Sequence, residues 1–354
     1  DKTLNGTFPP GSTFKLTTAL ALLEAGVDPE QRVFCSGAWR TGNRTQRCWG
    51  THGSQSMHDA IKNSCDVYFY AMCNRAGVDK IKEVAMGLGF MQTFDIGVGN
   101  QRKGLIPSTA WKRETYPNDP VWHPGETTSV AIGQGAVTVN ALQLAVMASR
   151  VANGRKALNP RLIKSIGGVE QPSGAEAPDL PFKREHMEVL QGGMRAVAND
   201  TSGTAYRQSQ LGLGDILMAG KTGTAQVRDY SRAASRKSSS VTWRLKDHNL
   251  FVAYAPVDAP RYAVAVIIEH GGLGGATAGA PRAREIMRTA LLKDPEMRGR
   301  ITRPPPPAPT GPEVANEGAA PVEGAAPPPP VATAPPTPAP APAPAPTPAP
   351  AAPQ

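Results

Sequence analysis

The chain has 354 residues, four cysteines, and 38 Lys and Arg against 29 Asp and Glu, for a formal net charge of +9. That length supports one large core or two small ones and excludes a small disulfide scaffold. No apolar run reaches the roughly 18 to 20 residues of a membrane span, and no signal peptide opens the chain. The positive excess reads as a solvated basic surface, because neither finger spacing nor a repeated aromatic-basic pattern points to nucleic acid.

In chain order, Gly11 to Gly26 has Phe14, Ala19, Leu22 and Leu23 at helical spacing, with Gly26 as a stop. About 35 residues rich in Gly, Thr, Arg and Gln follow and read as an irregular excursion. A second helix is expected from Ser64, almost wholly apolar from Asp66 to Arg75 and therefore buried. Asp79 to Leu88 continues as a helix of mixed polarity. The stretch from Thr93 to Pro124 has no period. Helical spacing resumes from Thr138 to Val151, stopping at Asn153-Gly154, and again from Phe182 to Ala198.

Three strand candidates come late: Ile216 to Val227, Leu250 to Ala255 and Tyr262 to Glu269. Arg228 to Lys246 reads as a hairpin loop between the first two, and Arg282 to Leu292 closes the core as a helix. Helices first and antiparallel strands afterwards predict an α+β domain with helices packed on a sheet. Twenty-one of the 36 prolines lie beyond Arg300, in a stretch with three acidic residues (Glu313, Glu317, Glu323) and no aromatic. Residues 301–354 are therefore expected to be a disordered Pro/Ala-rich tail behind a folded domain spanning 1–300.

The chemistry-bearing residues fall in three places. Ser12 and Lys15 are three apart at a helix start, so they share a face where an amine can serve a hydroxyl nucleophile. Ser64-Cys65-Asp66 opens the buried helix. Lys221-Thr222-Gly223-Thr224 lies on the first late strand. Taken singly, Ser64 is a good helix cap and Lys-Thr-Gly an ordinary turn. In order, the three match the Ser-x-x-Lys, Ser-Asp-Asn-type and Lys-Thr-Gly set of penicillin-binding proteins and serine β-lactamases.

With PPGSTFK, SCDVYFY, AIGQG, GKTGTAQV and HNLFVAYAP, the chain from about Gly6 to Leu292 resembles the transpeptidase domain of class B penicillin-binding proteins. The SCD triplet and CWGTHG point to the elongation-type branch. The resemblance implies the penicillin-binding protein/serine β-lactamase-like fold and a serine acyl-enzyme that cross-links peptidoglycan stem peptides and is a target of β-lactams. It casts Ser12 as nucleophile, Lys15 as base, Ser64 as proton relay and Asp66 as the anchor of Lys15. Lys221, Thr222 and Thr224 bind the substrate carboxylate, and Gly223 lets the peptide approach the strand edge.

It further implies a parent protein anchored at the periplasmic face of the bacterial inner membrane, working with a SEDS-family glycan polymerase in the rod-elongation complex. In the family a segment before the serine helix supplies strands of the sheet, so the transpeptidase domain is expected to lack its N-terminal strands here. A β-lactamase or D,D-carboxypeptidase of the same fold and a non-catalytic fragment or scaffold are the alternatives. Glu114 and Glu126 are the glutamates placed to serve a hydrolase.

No cofactor is expected for catalysis. Cys35, Cys48, His52 and Cys65, spaced C-x12-C-x3-H-x12-C, match a closed tetrahedral zinc site that would be structural. A disulfide such as Cys35 to Cys48, suited to an oxidising compartment, and free thiols are the other readings. Cys73 reads as core. His58, His123, His186, His248 and His270 show no metal spacing, and Trp111 and Trp122 read as packing residues beside a Pro-rich loop.

Overall fold

A computed structural model of the chain describes residues 1–171, 177–227 and 242–301, which belong to one compact unit, 1–305. All of the expected tail, 301–354, except Ile301, and most of the expected hairpin loop, 228–241, lie outside the described residues.

A short helix α1 (Lys2–Asn5) precedes a 3₁₀ turn, Gly11–Phe14, which runs into α2 (Lys15–Glu24). One helix was expected over this span. Its first turn is tighter because Gly11 has φ +54°, outside helical space. Every residue of α2 from Lys15 to Leu23 is buried, so it is the central helix. Burying Leu16, Leu20, Leu22 and Leu23 stabilises the fold by about 1.5–3 kcal/mol each.

The stretch read as irregular holds four short strands: β1 (Val33–Cys35), β2 (Ala38–Thr41), β3 (Arg44–Arg47) and β4 (Gly53–Gln55). They pair antiparallel as β1–β4 and β2–β3. At three or four residues each, they are too short to show an alternating pattern. Helix α3 (Met57–Lys62) follows, started by a capping box between Ser56 and Asp59. The buried helix α4 runs Asp66–Met72 with Cys65, not Ser64, at its N-cap, and ends in a 3₁₀ turn, Cys73–Arg75. Next come α5 (Gly77–Gly87), α6 (Thr109–Thr115) and α7 (Pro124–Ala131). The last two lie in or beside the aperiodic stretch, and both are too short to repeat an apolar face. Helix α8 (Ala141–Asn153) is capped by Asn140 with Gln143 and stopped by Gly154 at φ +66°. A two-rung hairpin of β5 (Ser165–Ile166) and β6 (Val169–Glu170) leads to α9 (Arg184–Asn199) and α10 (Tyr206–Ser209).

The central sheet consists of β7 (Ala219–Ala225), β8 (His248–Ala255) and β9 (Tyr262–Ile268), antiparallel in that order. Gly223 pairs with Leu250 and Leu250 with Ile267. All of β8 from Asn249 to Ala255 is buried. Successive strand residues point to opposite faces, so both faces of the sheet are covered. Helices α8 and α9 pack on β9 and β7, and α11 (Ala280–Lys293) packs on β8 and β9. Helix α12 (Pro295–Ile301) is tied back by Asp294, which accepts from Arg261 and from the Tyr262 hydroxyl. The expected α+β architecture of helices on an antiparallel sheet is the one observed.

Candidate active site

Three chain segments meet at the N-terminus of α2. The turn carrying Ser12 touches the backbone of β7: a Cβ on Gly11 would lie 2.3 Å from the Thr224 carbonyl oxygen. The turn after α7 closes on it from another side, where Gly133 at φ +69° accepts a hydrogen bond from the Gly11 N–H at 3.0 Å. A Cβ there would meet the Gly11 oxygen at 2.3 Å, so both positions require glycine. Gln134 donates to the Thr224 carbonyl at 3.2 Å. The AIGQG segment thus clamps the serine turn to the strand.

Lys15 is wholly buried, and its ammonium faces three oxygens: the Ser64 carbonyl at 2.7 Å, the Ser64 hydroxyl at 3.3 Å and Asp66 at 2.7 Å. Burial pushes the Asp66 carboxyl above the ordinary carboxylate range, and the Lys15 charge pulls it part of the way back. Ser64 sits at φ +52°, which a non-glycine residue seldom adopts. Among the described residues no hydrogen bond engages the Ser12 hydroxyl, while its neighbour Lys15 is anchored to Ser64 and Asp66.

On β7, Thr222 and Thr224 share one face and Lys221 points to the other. Lys221 is also wholly buried, its ammonium donating to the Thr222 carbonyl at 3.2 Å. Lys221, expected as a ligand of the substrate carboxylate, lies out of solvent near Lys15 and Asp66. Burial pushes its pKa well below 10.5, the Lys15 charge pushes it the same way, and Asp66 opposes them. The unfolded chain therefore binds the extra proton, and stability should rise with pH from the depressed pKa up to about 10.5. Urea unfolding across that window should show a flatter slope for Lys221→Met; an equal slope would mean that Lys221 stays charged in the fold.

Neither glutamate reserved for a hydrolase is poised over the site. Glu126 is held by the Lys112 ammonium at 2.8 Å and by the His123 N–H, and Glu114 lies exposed at the end of α6. Trp122 donates to Thr127 and Trp111 packs on Tyr116, as expected of packing residues. His186 pairs with Glu24 at 2.8 Å, and the His248 and His270 rings meet at a tilt of 59° with centroids 4.5 Å apart.

Cys35, Cys48, His52 and Cys65 converge, their ligand atoms all within 4.8 Å of one another, and Cys73 stays apart in the core. None of the four cysteines is joined in a disulfide. His52 Nδ1 lies 3.5 Å from both the Cys35 and the Cys48 sulfur. A tetrahedral zinc with ordinary Zn–S and Zn–N bonds sets those edges at about 3.5 Å, so the donor set fits the ion. A hydrogen bond from the Cys65 thiol, helped by the N–H groups of Gly50, Val67 and Asp66, pulls Cys48 down to about 3, and Cys65 is pushed up in turn. The Asp66 N–H donates to the Cys48 sulfur at 3.2 Å, so the cluster braces the start of α4 beside Lys15.

Residues 1–288 match the penicillin binding protein transpeptidase domain. The chain is 35% identical over 285 residues to the peptidoglycan D,D-transpeptidase MrdA of Acinetobacter baumannii, covering 78% of this chain and 42% of that protein. It is similar to Pseudomonas aeruginosa PBP2, solved in complex with WCK 5153, with a TM-score of 0.72, 35% identity and coverage of 83% of this chain and 61% of that one. A structure reported for the coordination of polymerization and crosslinking by a peptidoglycan synthase complex aligns with a TM-score of 0.68 at 32% identity, covering 81% of this chain and 46% of that one. The chain spans less than half the length of the A. baumannii relative.

Proposed function

The chain belongs to the penicillin binding protein transpeptidase family, and from that premise we propose that it is an elongation-type peptidoglycan D,D-transpeptidase. The observation that carries this reading is the buried convergence of Lys15, Ser64, Asp66 and Lys221 behind a serine turn pressed against β7.

The Lys15 amine takes the Ser12 proton as Ser12 Oγ attacks the carbonyl between the two D-Ala residues of a stem peptide. The N–H groups of Ser12 and Thr224, drawn together by the close approach of Gly11, receive the oxyanion. The C–N bond then breaks, and the departing D-Ala amine takes a proton from Lys15 through the Ser64 hydroxyl. In the second half-reaction an amine of another stem peptide attacks the Ser12 ester, gives up its proton along the same relay, and leaves a cross-link and a free Ser12. Thr222 and Thr224 hold the terminal carboxylate from one face of β7. Lys221 lies buried behind them, on the other face of the strand.

Zinc at Cys35, Cys48, His52 and Cys65 would supply a covalent-strength cross-link between the β1–β4 arm and α4. The protein works at the periplasmic face of the inner membrane, where stem peptides and β-lactams reach it. The relation to a synthase that couples polymerization to crosslinking supports a SEDS-family glycan polymerase of the rod-elongation complex as partner. No helix among the described residues is long and apolar enough to cross a membrane.

Incubation with a fluorescent penicillin followed by peptide mapping tests the reading. The label should appear on Ser12, persist for minutes to hours, and vanish in Ser12→Ala. Rapid loss of label would make the chain a hydrolase, and no label on the wild-type chain would overturn the proposal.

A further inference from the structure

Trp49 is 57% exposed, yet its indole N–H is fully engaged: it donates to the Asn63 carbonyl at 3.0 Å and to the Ser64 carbonyl at 3.2 Å. A tryptophan that leaves most of its ring in water gains little from burial, so its polar edge accounts for its position. The turn it grips is the one that needs holding. Ser64 has φ +52°, and its own N–H bond to Ile61 is a long 3.2 Å. Such a conformation persists only where the surroundings over-determine it. The carbonyl that Trp49 holds is also the one that accepts from Lys15 at 2.7 Å.

The indole is itself placed from two sides. Cys48, the preceding residue, accepts the Asp66 N–H, and the ring packs edge-on against His52 with centroids 4.9 Å apart. Asn63, at the C-cap of α3, is fixed by its amide bond to Gln55 at 2.8 Å. A path of direct contacts therefore runs from the Cys/His cluster through Trp49 to the Ser64 carbonyl and on to Lys15.

We propose that Trp49 is a positioning residue for the proton-transfer pair: its indole N–H holds the Asn63–Ser64 turn in the left-handed conformation that presents the Ser64 hydroxyl and carbonyl to Lys15. This rests on the reading of Ser12 as nucleophile and Lys15 as base. It assigns to Trp49 an effect on the chemical step rather than on ligand binding.

The test replaces Trp49 with 3-benzothienylalanine, which keeps the ring shape and substitutes sulfur for the N–H, alongside Trp49→Phe. Stopped-flow acylation by a fluorescent penicillin separates the non-covalent dissociation constant from the acylation rate constant. With the isostere, the rate constant should fall about tenfold, the scale of one lost hydrogen bond expressed in the transition state. The dissociation constant should stay within about twofold, with thermal midpoint and metal content preserved. An unchanged rate constant, or a loss that only follows the unfolded fraction, would overturn the inference. If both variants fold poorly, the wild-type indole N–H resonance decides: protection from solvent exchange supports the bond to the turn, and fast exchange removes it. Failure of the wild-type chain to acylate would count instead against the underlying transpeptidase reading.

Discussion

Lys15→Ala should lower the acylation rate constant for penicillin by about three to four orders of magnitude, the range of a lost general base together with its electrostatic setting. Lys15 touches both the Ser64 hydroxyl and Asp66, and it stands one helical turn from Ser12. The same change strands Asp66 in a mostly buried site without its cation, a loss of about 3–5 kcal/mol while the carboxyl is charged. The carboxyl, already pushed up by burial, then holds its proton in the fold while the unfolded chain releases it near 3.8. Fewer protons in the unfolded state make the slope negative, so the stability of the variant should fall as pH rises through the carboxylate range. Lys15→Arg separates the two roles. A guanidinium keeps a charge beside Asp66 but cannot be deprotonated. It should recover part of the stability measured by denaturant unfolding while acylation stays lost. Acylation by Lys15→Arg at the wild-type rate would show that Lys15 acts as a charge and not as a base.

The candidate catalytic residues were legible because chemistry restricts residue type at fixed offsets: Ser12 and Lys15 one turn apart, a triplet at a helix start, and Lys-Thr-Gly on a strand. Their order along the chain carried the family resemblance, and the structure brings Lys15, Ser64, Asp66 and Lys221 together as that order implied. Long periodic elements were equally legible. Helix α8, with Asn140 before it and Gly154 after it, ends within a residue or two of where its capping pattern stops.

The losses have physical causes. Ser64 looked like a helix cap because serine favours that position, but Cys65 takes it and Ser64 turns into left-handed space, held by contacts with Trp49 and Lys15 that lie 15 and 49 residues away in sequence. Lys221 reads as a carboxylate ligand from its residue type. Its burial depends on which face of β7 it occupies, and only the register against β8 fixes that. Strands β1 to β4 carry no alternation because each is only three or four residues long and pairs with another equally short strand rather than within a broad sheet. The cluster was readable from spacing alone, since C-x12-C-x3-H-x12-C sets the ligand types before any strand is assigned.

Wild-type protein should carry about one zinc per chain, and Cys48→Ser should remove it and lower the thermal midpoint by about 10 °C. The magnitude follows from linkage. A site filled at a thousand times its dissociation constant stabilises the fold by about 4 kcal/mol, and each kcal/mol moves the midpoint of a chain this size by about 2–4 °C. The site joins segments far apart in sequence: Cys35 closes β1, Cys48 and His52 flank the turn into β4, and Cys65 caps α4. Without an ion, three sulfurs and an imidazole sit within 4.8 Å, and the hydrogen bond that favours the Cys48 thiolate requires Cys65 to keep its proton. A divalent cation lets all the sulfurs ionise together, which is why the donor set stabilises the fold only when it is filled. Cys73→Ala is the control: it lies apart from the cluster, its thiol pushed up to about 12 by burial, so it should leave the metal content unchanged. Metal analysis and thiol titration of unfolded protein decide together. One zinc with four titratable thiols supports the site, whereas no zinc with two thiols missing would replace it with a disulfide. Because Cys48 also accepts the Asp66 N–H, the zinc-depleted variant should acylate more slowly even where it remains folded, whereas Cys73→Ala should not.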